Sequence, residues 1–336
     1  LEKKEAYLNF VNYLLAPNQL TNESLSKKFP NFSEERILKT TGINYRYSVG
    51  NNLVSSDFAT TCANIFFQNY LINKEEIDFL IFCTECPDYL GPATSCIVQN
   101  KLGLSTQIGT FDLAFGCSGY TYGLSMAKAL VESGMANNVL FVTADIPTTV
   151  LSKEDEQLHF LFSDASSTSL ISSKNNGYKL GNFSFGTDGS GATKLMSRNS
   201  AFIEPRSLKW FAESKNKDLS FGRMEMDGED VFRFSLREVP LLVKQVLEKN
   251  NCAFDEIDLF VFHQASSIIL KSLQRKLRIP DERFFCNLAE VGNTVSASIP
   301  IALEQAREKK IIKPGMKIML LGFGIGYSWS GTIIQS

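Results

Sequence analysis

The chain has 336 residues, 44% of them hydrophobic, with 34 Lys+Arg against 36 Asp+Glu and a formal net charge of −2. That apolar fraction excludes a disordered chain, and the length suits two domains or one large duplicated one. The balanced charge excludes a global match to a nucleic-acid polyanion.

No apolar run approaches the roughly 18–20 residues of a membrane span, and Leu1-Glu2-Lys3-Lys4-Glu5 opens no apolar secretory segment. Seven scattered Cys, an odd number, make no disulfide framework in a chain this long. They read as free thiols in a reducing cytosol, so a cytoplasmic protein without membrane or nucleic-acid partners is expected. The 26 Phe suit packed interiors and apolar tunnels.

In chain order, an acidic turn Glu75-Glu76-Ile77-Asp78 leads into a short strand Phe79–Phe82. A helix Thr94–Leu102 ends at Gly103, and a short strand leads to Asp112-Leu113-Ala114. Gly116-Cys117-Ser118-Gly119 follows, then a helix Tyr120–Ser133 and a buried-type strand Val139–Ala144. The same order then returns. Asp255-Glu256-Ile257-Asp258 precedes the strand Leu259–Phe262, and a helix Ser267–Leu277 ends near Pro280. After a further short strand come Asn287-Leu288-Ala289, Gly292-Asn293-Thr294, a helix Ala297–Lys309 and a strand Lys317–Gly322.

The copies are offset by about 180 residues, too long for a solenoid period. The pattern predicts one duplicated α/β unit, with halves at 1–173 and 174–336 and largely parallel sheets covered on both faces. Matched positions carry different chemistry: Cys117 faces Asn293, and His263 faces Cys83 or Thr84. In a pseudo-symmetric fold, equivalent loops meet near the axis, so Cys117, His263 and Asn293 could converge.

Each of the three has an ordinary structural role as an alternative. Cys117 precedes a helix, whose N-terminus favours a thiolate, and its flanking glycines permit a tight turn and close approach of a substrate; otherwise it is a small buried thiol. His263, one of two His in the chain, can donate a hydrogen bond or take a proton, or is a satisfied core residue. Asn293 supplies an amide donor without charge, or caps a turn. Cys83-Thr84-Glu85-Cys86 lacks a second ligand pair for zinc. Gly322-x-Gly324-x-Gly326 has no βαβ unit after it to make a dinucleotide loop. His159, Asp145, Asp164 and Asp188 read as structural.

The stretches Asp112–Ser133, Phe262-His263-Gln264-Ala265 and Val291–Pro300, with Thr41-Gly42-Ile43, Phe162-Ser163-Asp164-Ala165 and Gly322–Trp329, resemble the β-ketoacyl-acyl-carrier-protein synthase III family of the thiolase superfamily. The resemblance runs nearly the whole length. It implies a five-layered αβαβα duplication, a homodimer, and no metal or organic redox cofactor. It implies Cys117 as the nucleophile taking an acyl group from coenzyme A or carrier protein, and His263 and Asn293 as the pair acting in decarboxylative condensation with a malonyl thioester. A backbone oxyanion hole would use Cys117 and Ile325. By the same resemblance Leu90 and Gly91 belong to the loop closing the acyl pocket across the dimer, and Gly91 standing where an aromatic often sits predicts a primer pocket larger than acetyl needs. Arg36, Thr40 and Glu156 occupy the places that hold coenzyme A, and an acid at 156 is a poor phosphate neighbour. Lys271, Arg275 and Lys276, with Arg278, offer a docking face for an acidic carrier protein. An acyltransferase passing the acyl group to an alcohol or amine on the same scaffold is the alternative, and a non-catalytic binding scaffold a third.

Overall fold

The computed structural model describes residues 4–50, 53–197 and 223–336. Its strands, in chain order, are β1 (Tyr7–Leu15), β2 (Asn18–Thr21), β3 (Tyr45–Ser48), β4 (Phe79–Cys83), β5 (Gly109–Leu113), β6 (Asn138–Asp145), β7 (Ala165–Ser172), β8 (Tyr178–Leu180), β9 (Ser184–Thr187), β10 (Leu195–Ser197), β11 (Met224–Met226), β12 (Leu259–Phe262), β13 (Phe284–Phe285), β14 (Lys317–Gly324) and β15 (Ser328–Gln335). Eleven form one sheet, in the order β13-β12-β14-β15-β8-β1-β7-β6-β4-β5 with β9 on β15. Two short hairpins, β2-β3 and β10-β11, lie outside it.

The repeat is visible in the pairing. In the first half β4 pairs parallel with β5 and β6, and β7 lies antiparallel on β6. In the second, β12 pairs parallel with β13 and β14, and β15 lies antiparallel on β14. The strand β8 joins the two groups by pairing with both β1 and β15.

Helices Ser55–Tyr70 and Thr94–Leu102 cover the outer face of the first group, and Gly228–Lys249 covers the outer face of the second, with Ser267–Leu277 packed against it. Between the groups lies a central layer: Gly119–Glu132 touches β4, β6 and β7 on one side and β14 and β15 on the other, and Ser298–Glu308 joins β1 to β12 and β14. Five layers result. Strands covered on both faces favour continuous apolar runs, and β4, β6, β12 and β14 are buried along almost their full length.

The repeated acidic turn has a physical explanation. Asp78 Oδ2 accepts the backbone N–H of Asn137 and Asn138 at the start of β6, and Asp258 Oδ2 accepts that of Lys317 at the start of β14. The backbone N–H of each Asp donates back to the carbonyl of Asn138 or Lys317. Ile77 and Ile257, one residue earlier, are buried. Each repeated turn therefore clamps a parallel strand to its neighbour.

The second sequence match diverges in structure. Asp112 lies inside β5, where its carboxylate accepts the N–H groups of Thr94 and Ser95 at the head of a helix. Asn287 lies beyond β13, its N–H donating to Gln264 Oε1, and Leu288–Val291 is a short helix. The helices over 94–102 and 267–277 fall where periodicity places them. The central-layer pair runs Gly119–Glu132 and Ser298–Glu308, a residue or so from expectation.

Candidate active site

Cys117 lies in the turn between β5 and the central helix Gly119–Glu132 and is almost fully buried. The neighbouring glycines provide clearance. A β-carbon at Gly116 would stand 2.2 Å from Glu85 Oε2, and one at Gly119 would stand 2.4 Å from Cys83 Sγ. These glycines thus make room for the protein's own side chains, not for a substrate as the sequence suggests. A β-carbon at Gly324 would meet Cys117 Cβ at 2.6 Å and Sγ at 3.0 Å, so the last turn of β14 lies directly against the thiol.

The expectation of a thiolate promoted by the helix terminus needs correcting. Burial pushes the Cys117 thiol well above its ordinary pKa, and the carboxyls of Glu85 and Asp145 push the same way. Hydrogen bonds from the backbone of Ile325 and of Cys117 itself act in the opposite sense without offsetting this.

His263 follows β12 directly. Its N–H donates to the Leu321 carbonyl at 2.8 Å, its Nδ1 lies 2.6 Å from Ser298 Oγ, and its ring meets Phe323 edge-on at 5.7 Å. Burial lowers its pKa to about 3, with a hydrogen bond to the Val295 backbone opposing. That shift favours the neutral imidazole.

Asn293 is placed by a turn that only its preceding glycine permits, since Gly292 has φ +69° and a β-carbon there would also stand 3.1 Å from Ser163 Cβ. The Asn293 N–H donates to Leu161 O, and Ser163 N–H donates to Asn293 O, so the residue is stitched into the first half. Its Oδ1 accepts from Val295 N–H and its Nδ2 donates to Ala265 O at 3.1 Å. An amide nitrogen carries two hydrogens, and Ala265 takes one. Arg46, fully buried, supports this corner by donating to Phe160 O, Ile43 O and Thr41 Oγ1.

Cys117, His263 and Asn293 line one cavity of about 400 Å³. Its remaining walls are mostly apolar: Leu161, Phe162, Val231, Phe232, Ile269 and Phe323. The helix Gly228–Lys249, which supplies Val231, Phe232 and Ser235, is absent from the sequence reading, although an amphipathic period and the N-cap Asp227 could have found it.

A second cavity of about 600 Å³ is lined by Leu90, Glu85, Asp145, Val295 and Ile325, among others. Leu90 is therefore in its wall; Gly91 is not, and open space surrounds the position of a β-carbon there. Ile325 lines this second cavity and not the first. Asp145 is structural: its carboxylate accepts from Glu85 N–H at 2.8 Å and from the N–H and hydroxyl of Ser296. Asp164 likewise accepts from Val49 N–H and Thr148. His159 lies outside both cavities, beside Ser152 O and Lys28 Nζ.

Of the residues at the expected coenzyme A positions, Arg36 lies 4.6 Å over the Phe32 ring and Thr40 donates to Arg36 O. Glu156 lines a separate groove with Glu154, Asp155 and Glu225. None of the three is in the wall of the Cys117 cavity. On the helix Ser267–Leu277, Lys271 and Arg275 fall three and seven residues after Ile268, on the face of that exposed cavity-mouth residue. Lys276 does not join them: its Nζ donates to Leu236 O at 2.9 Å, and it lines another groove. Among the described residues no His/Cys/Asp/Glu cluster suits a metal and no helix is long and apolar enough to cross a membrane. All seven Cys are free.

Comparison with known proteins places this site in a family. Residues 111–189 match the family described as 3-Oxoacyl-[acyl-carrier-protein (ACP)] synthase III, and residues 247–336 match its C-terminal counterpart. A curated relative from Clostridium tetani, named Beta-ketoacyl-(acyl-carrier-protein) synthase III, is 32% identical over 100% of this chain and 99% of its own. One of the same name from Fusobacterium nucleatum is 33% identical over 97% of each. A crystal structure of a 3-oxoacyl-(acyl-carrier-protein) synthase III superposes with a TM-score of 0.92 at 37% identity, covering 99% of this chain and all of the other. The chain belongs to the 3-oxoacyl-(acyl-carrier-protein) synthase III family and has its thiolase-type fold; it is an enzyme of the acyltransferase class. The relatives do not favour acyl transfer to an alcohol or amine.

Proposed function

We propose that the enzyme joins an acyl group to the two-carbon unit of a malonyl thioester through Cys117, His263 and Asn293. The observation that carries this reading is that three side chains from three separate elements line one mostly apolar cavity. In the first step the Cys117 sulfur attacks the acyl thioester, the old C–S bond breaks, and the departing thiolate takes the Cys117 proton. The N–H groups of Cys117 and Ile325 hold the oxyanion.

In the second step the malonyl carboxylate leaves as CO₂, and the electron pair of the broken C–C bond forms an enolate. Neutral His263 and Asn293 donate to the enolate oxygen, stabilising charge that exists only near the transition state. The enolate carbon attacks the acyl-Cys117 carbonyl. The Cys117 sulfur departs as a thiolate and takes one proton from solvent, giving a 3-oxoacyl thioester. A buried imidazole that stays neutral is suited to donate to an enolate without first gaining charge.

No metal or organic cofactor is required by this chemistry. Acyl carrier protein is the proposed malonyl carrier, docking near Lys271 and Arg275 beside the cavity mouth, with no part for Lys276. A cytoplasmic homodimer is proposed, with Leu90 and Gly91 in the loop across the dimer and a primer pocket larger than acetyl needs. The division at 173/174 then separates the half supplying the thiol from the half supplying His263 and Asn293. The test is intact-protein mass after mixing with acyl thioesters of increasing length, beside Cys117→Ala, followed by malonyl-dependent CO₂ release. Adducts on the wild type alone support the reading, and their absence from every donor removes it.

A further inference from the structure

A neutral imidazole carries one proton, on one of two ring nitrogens. His263 can donate to an enolate oxygen only if the nitrogen facing that oxygen is the protonated one. His263 lines the Cys117 cavity, and its Nδ1 lies 2.6 Å from Ser298 Oγ. The contact is buried: each residue is 1% exposed. It also identifies the ring atom, since a ring carbon would not come so near an oxygen; C–H···O contacts run at about 3.3–3.6 Å. With Nδ1 taken by Ser298, Nε2 is the nitrogen left for a substrate.

The fold fixes this neighbour. Ser298 opens the central-layer helix Ser298–Glu308, which packs against β12, the strand that leads into His263. Among the described residues, Ser298 Oγ has no second hydrogen-bond partner. Suppose Nδ1 held the ring proton and donated to Ser298. The buried hydroxyl hydrogen would then lack an acceptor, at a cost of about 1–3 kcal/mol. Donation from Ser298 to the Nδ1 lone pair satisfies both groups and puts the ring proton on Nε2.

We propose that Ser298 is a positioning residue for the condensation, its hydroxyl holding His263 in the tautomer that presents Nε2–H to the enolate oxygen. This rests on the reading of His263 as a donor in the second step. The Val295 backbone carbonyl, which accepts the Ser298 N–H, favours a proton on the ring. Without the Ser298 hydroxyl it draws that proton to Nδ1 and leaves a lone pair on Nε2, which repels an enolate oxygen.

The experiment uses the two-His composition of the chain. Histidine carrying the heavy nitrogen isotope in its ring gives two imidazoles to resolve by NMR at neutral pH, and His159→Gln assigns them. In wild type and Ser298→Thr, which keeps a hydroxyl, the His263 proton should be on Nε2; in Ser298→Ala it should move toward Nδ1. In parallel, kcat for malonyl-dependent CO₂ release by enzyme acylated beforehand should fall about tenfold in Ser298→Ala, the worth of one neutral hydrogen bond. KM for the malonyl thioester and the rate of Cys117 acylation should not change, and Ser298→Thr should restore kcat. A wild-type ring protonated on Nδ1 would overturn the inference, and that spectrum needs no variant. So would an unchanged tautomer and kcat in Ser298→Ala, or equal losses in acylation and CO₂ release, which mark a structural role alone. Acylated wild type that releases no CO₂ would overturn the condensation reading, and the role of Ser298 with it, whatever tautomer the spectrum shows.

Discussion

Gly324 and Cys117 are packed so closely that a β-carbon on Gly324 would stand 2.6 Å from Cys117 Cβ. Real β-carbons do not approach that closely, and neither backbone can withdraw easily: Gly324 is paired with Ser328 on β15, and Ser118 Oγ is bonded to Ser328 Oγ at 2.7 Å. Gly324→Ala should therefore displace the thiol from the proposed oxyanion donors. Acylation should slow by at least about a hundredfold, the scale of losing one such donor, with the circular dichroism spectrum unchanged. Normal acylation by Gly324→Ala would show that the thiol does not depend on this contact.

His263 and Asn293 should matter after acylation rather than before it. In His263→Ala and Asn293→Ala the acyl adduct on Cys117 should still form, while malonyl-dependent CO₂ release should fall by about a hundred- to a thousandfold. Mass spectrometry and radiolabelled CO₂ capture separate the two steps. Equal losses in both would remove the assignment of the pair to the second step.

The pH dependence of stability gives an independent check on His263. Its folded-state pKa of about 3 lies below the unfolded value near 6.5. Between those values the unfolded chain binds the proton and the folded chain does not, so His263 makes stability fall as pH falls through that window. The slope is at most about 1.4 kcal/mol per pH unit. Urea unfolding of wild type and His263→Gln at pH 7 and pH 5 should show a smaller acid-induced loss in the variant. The comparison between proteins is needed because Asp164, raised to about 6, titrates in the opposite sense.

Asp78 and Asp258 should act on stability alone. Each accepts backbone N–H groups at the start of a neighbouring strand. Asp78→Ala and Asp258→Ala should each cost about 1–3 kcal/mol in unfolding free energy, with Cys117 acylation unchanged. A loss of acylation without loss of stability would contradict the clamp.

Charge reversal on the helix Ser267–Leu277 should separate its cations. Lys271→Glu and Arg275→Glu should raise KM for carrier-borne malonyl substrate several-fold, more at low salt, and leave free thioester analogues unaffected. Lys276→Glu should do less, because Lys276 is turned toward Leu236. Equal effects from all three would remove the proposed docking face.

Much of the fold was legible because parallel strands buried on both faces write continuous apolar runs into the sequence, and the clamp residues Asp78 and Asp258 sit at the same place in each copy. The strand β7 was not legible. Its sequence Ala-Ser-Ser-Thr-Ser-Leu-Ile-Ser carries few apolar residues, yet every position is buried. Its hydroxyls are satisfied by neighbouring elements, Ser167 by Thr143 on the adjacent strand β6 and Ser169 by Tyr120 of the central helix, and such pairing depends on neighbours that local composition does not reveal.

The identities of Cys117, His263 and Asn293, and the strand-to-helix transitions carrying them, were determined by the sequence, because local propensity and the repeat act over short stretches. Only the tertiary structure decided that the three line one cavity, that burial pushes the thiol pKa up and the imidazole pKa down, that Lys276 turns away from Lys271 and Arg275, and that Glu85 stands beside Gly116. The physical reason is range: hydrophobic periodicity is a property of adjacent residues, whereas desolvation and convergence arise from the packing of two halves about 180 residues apart.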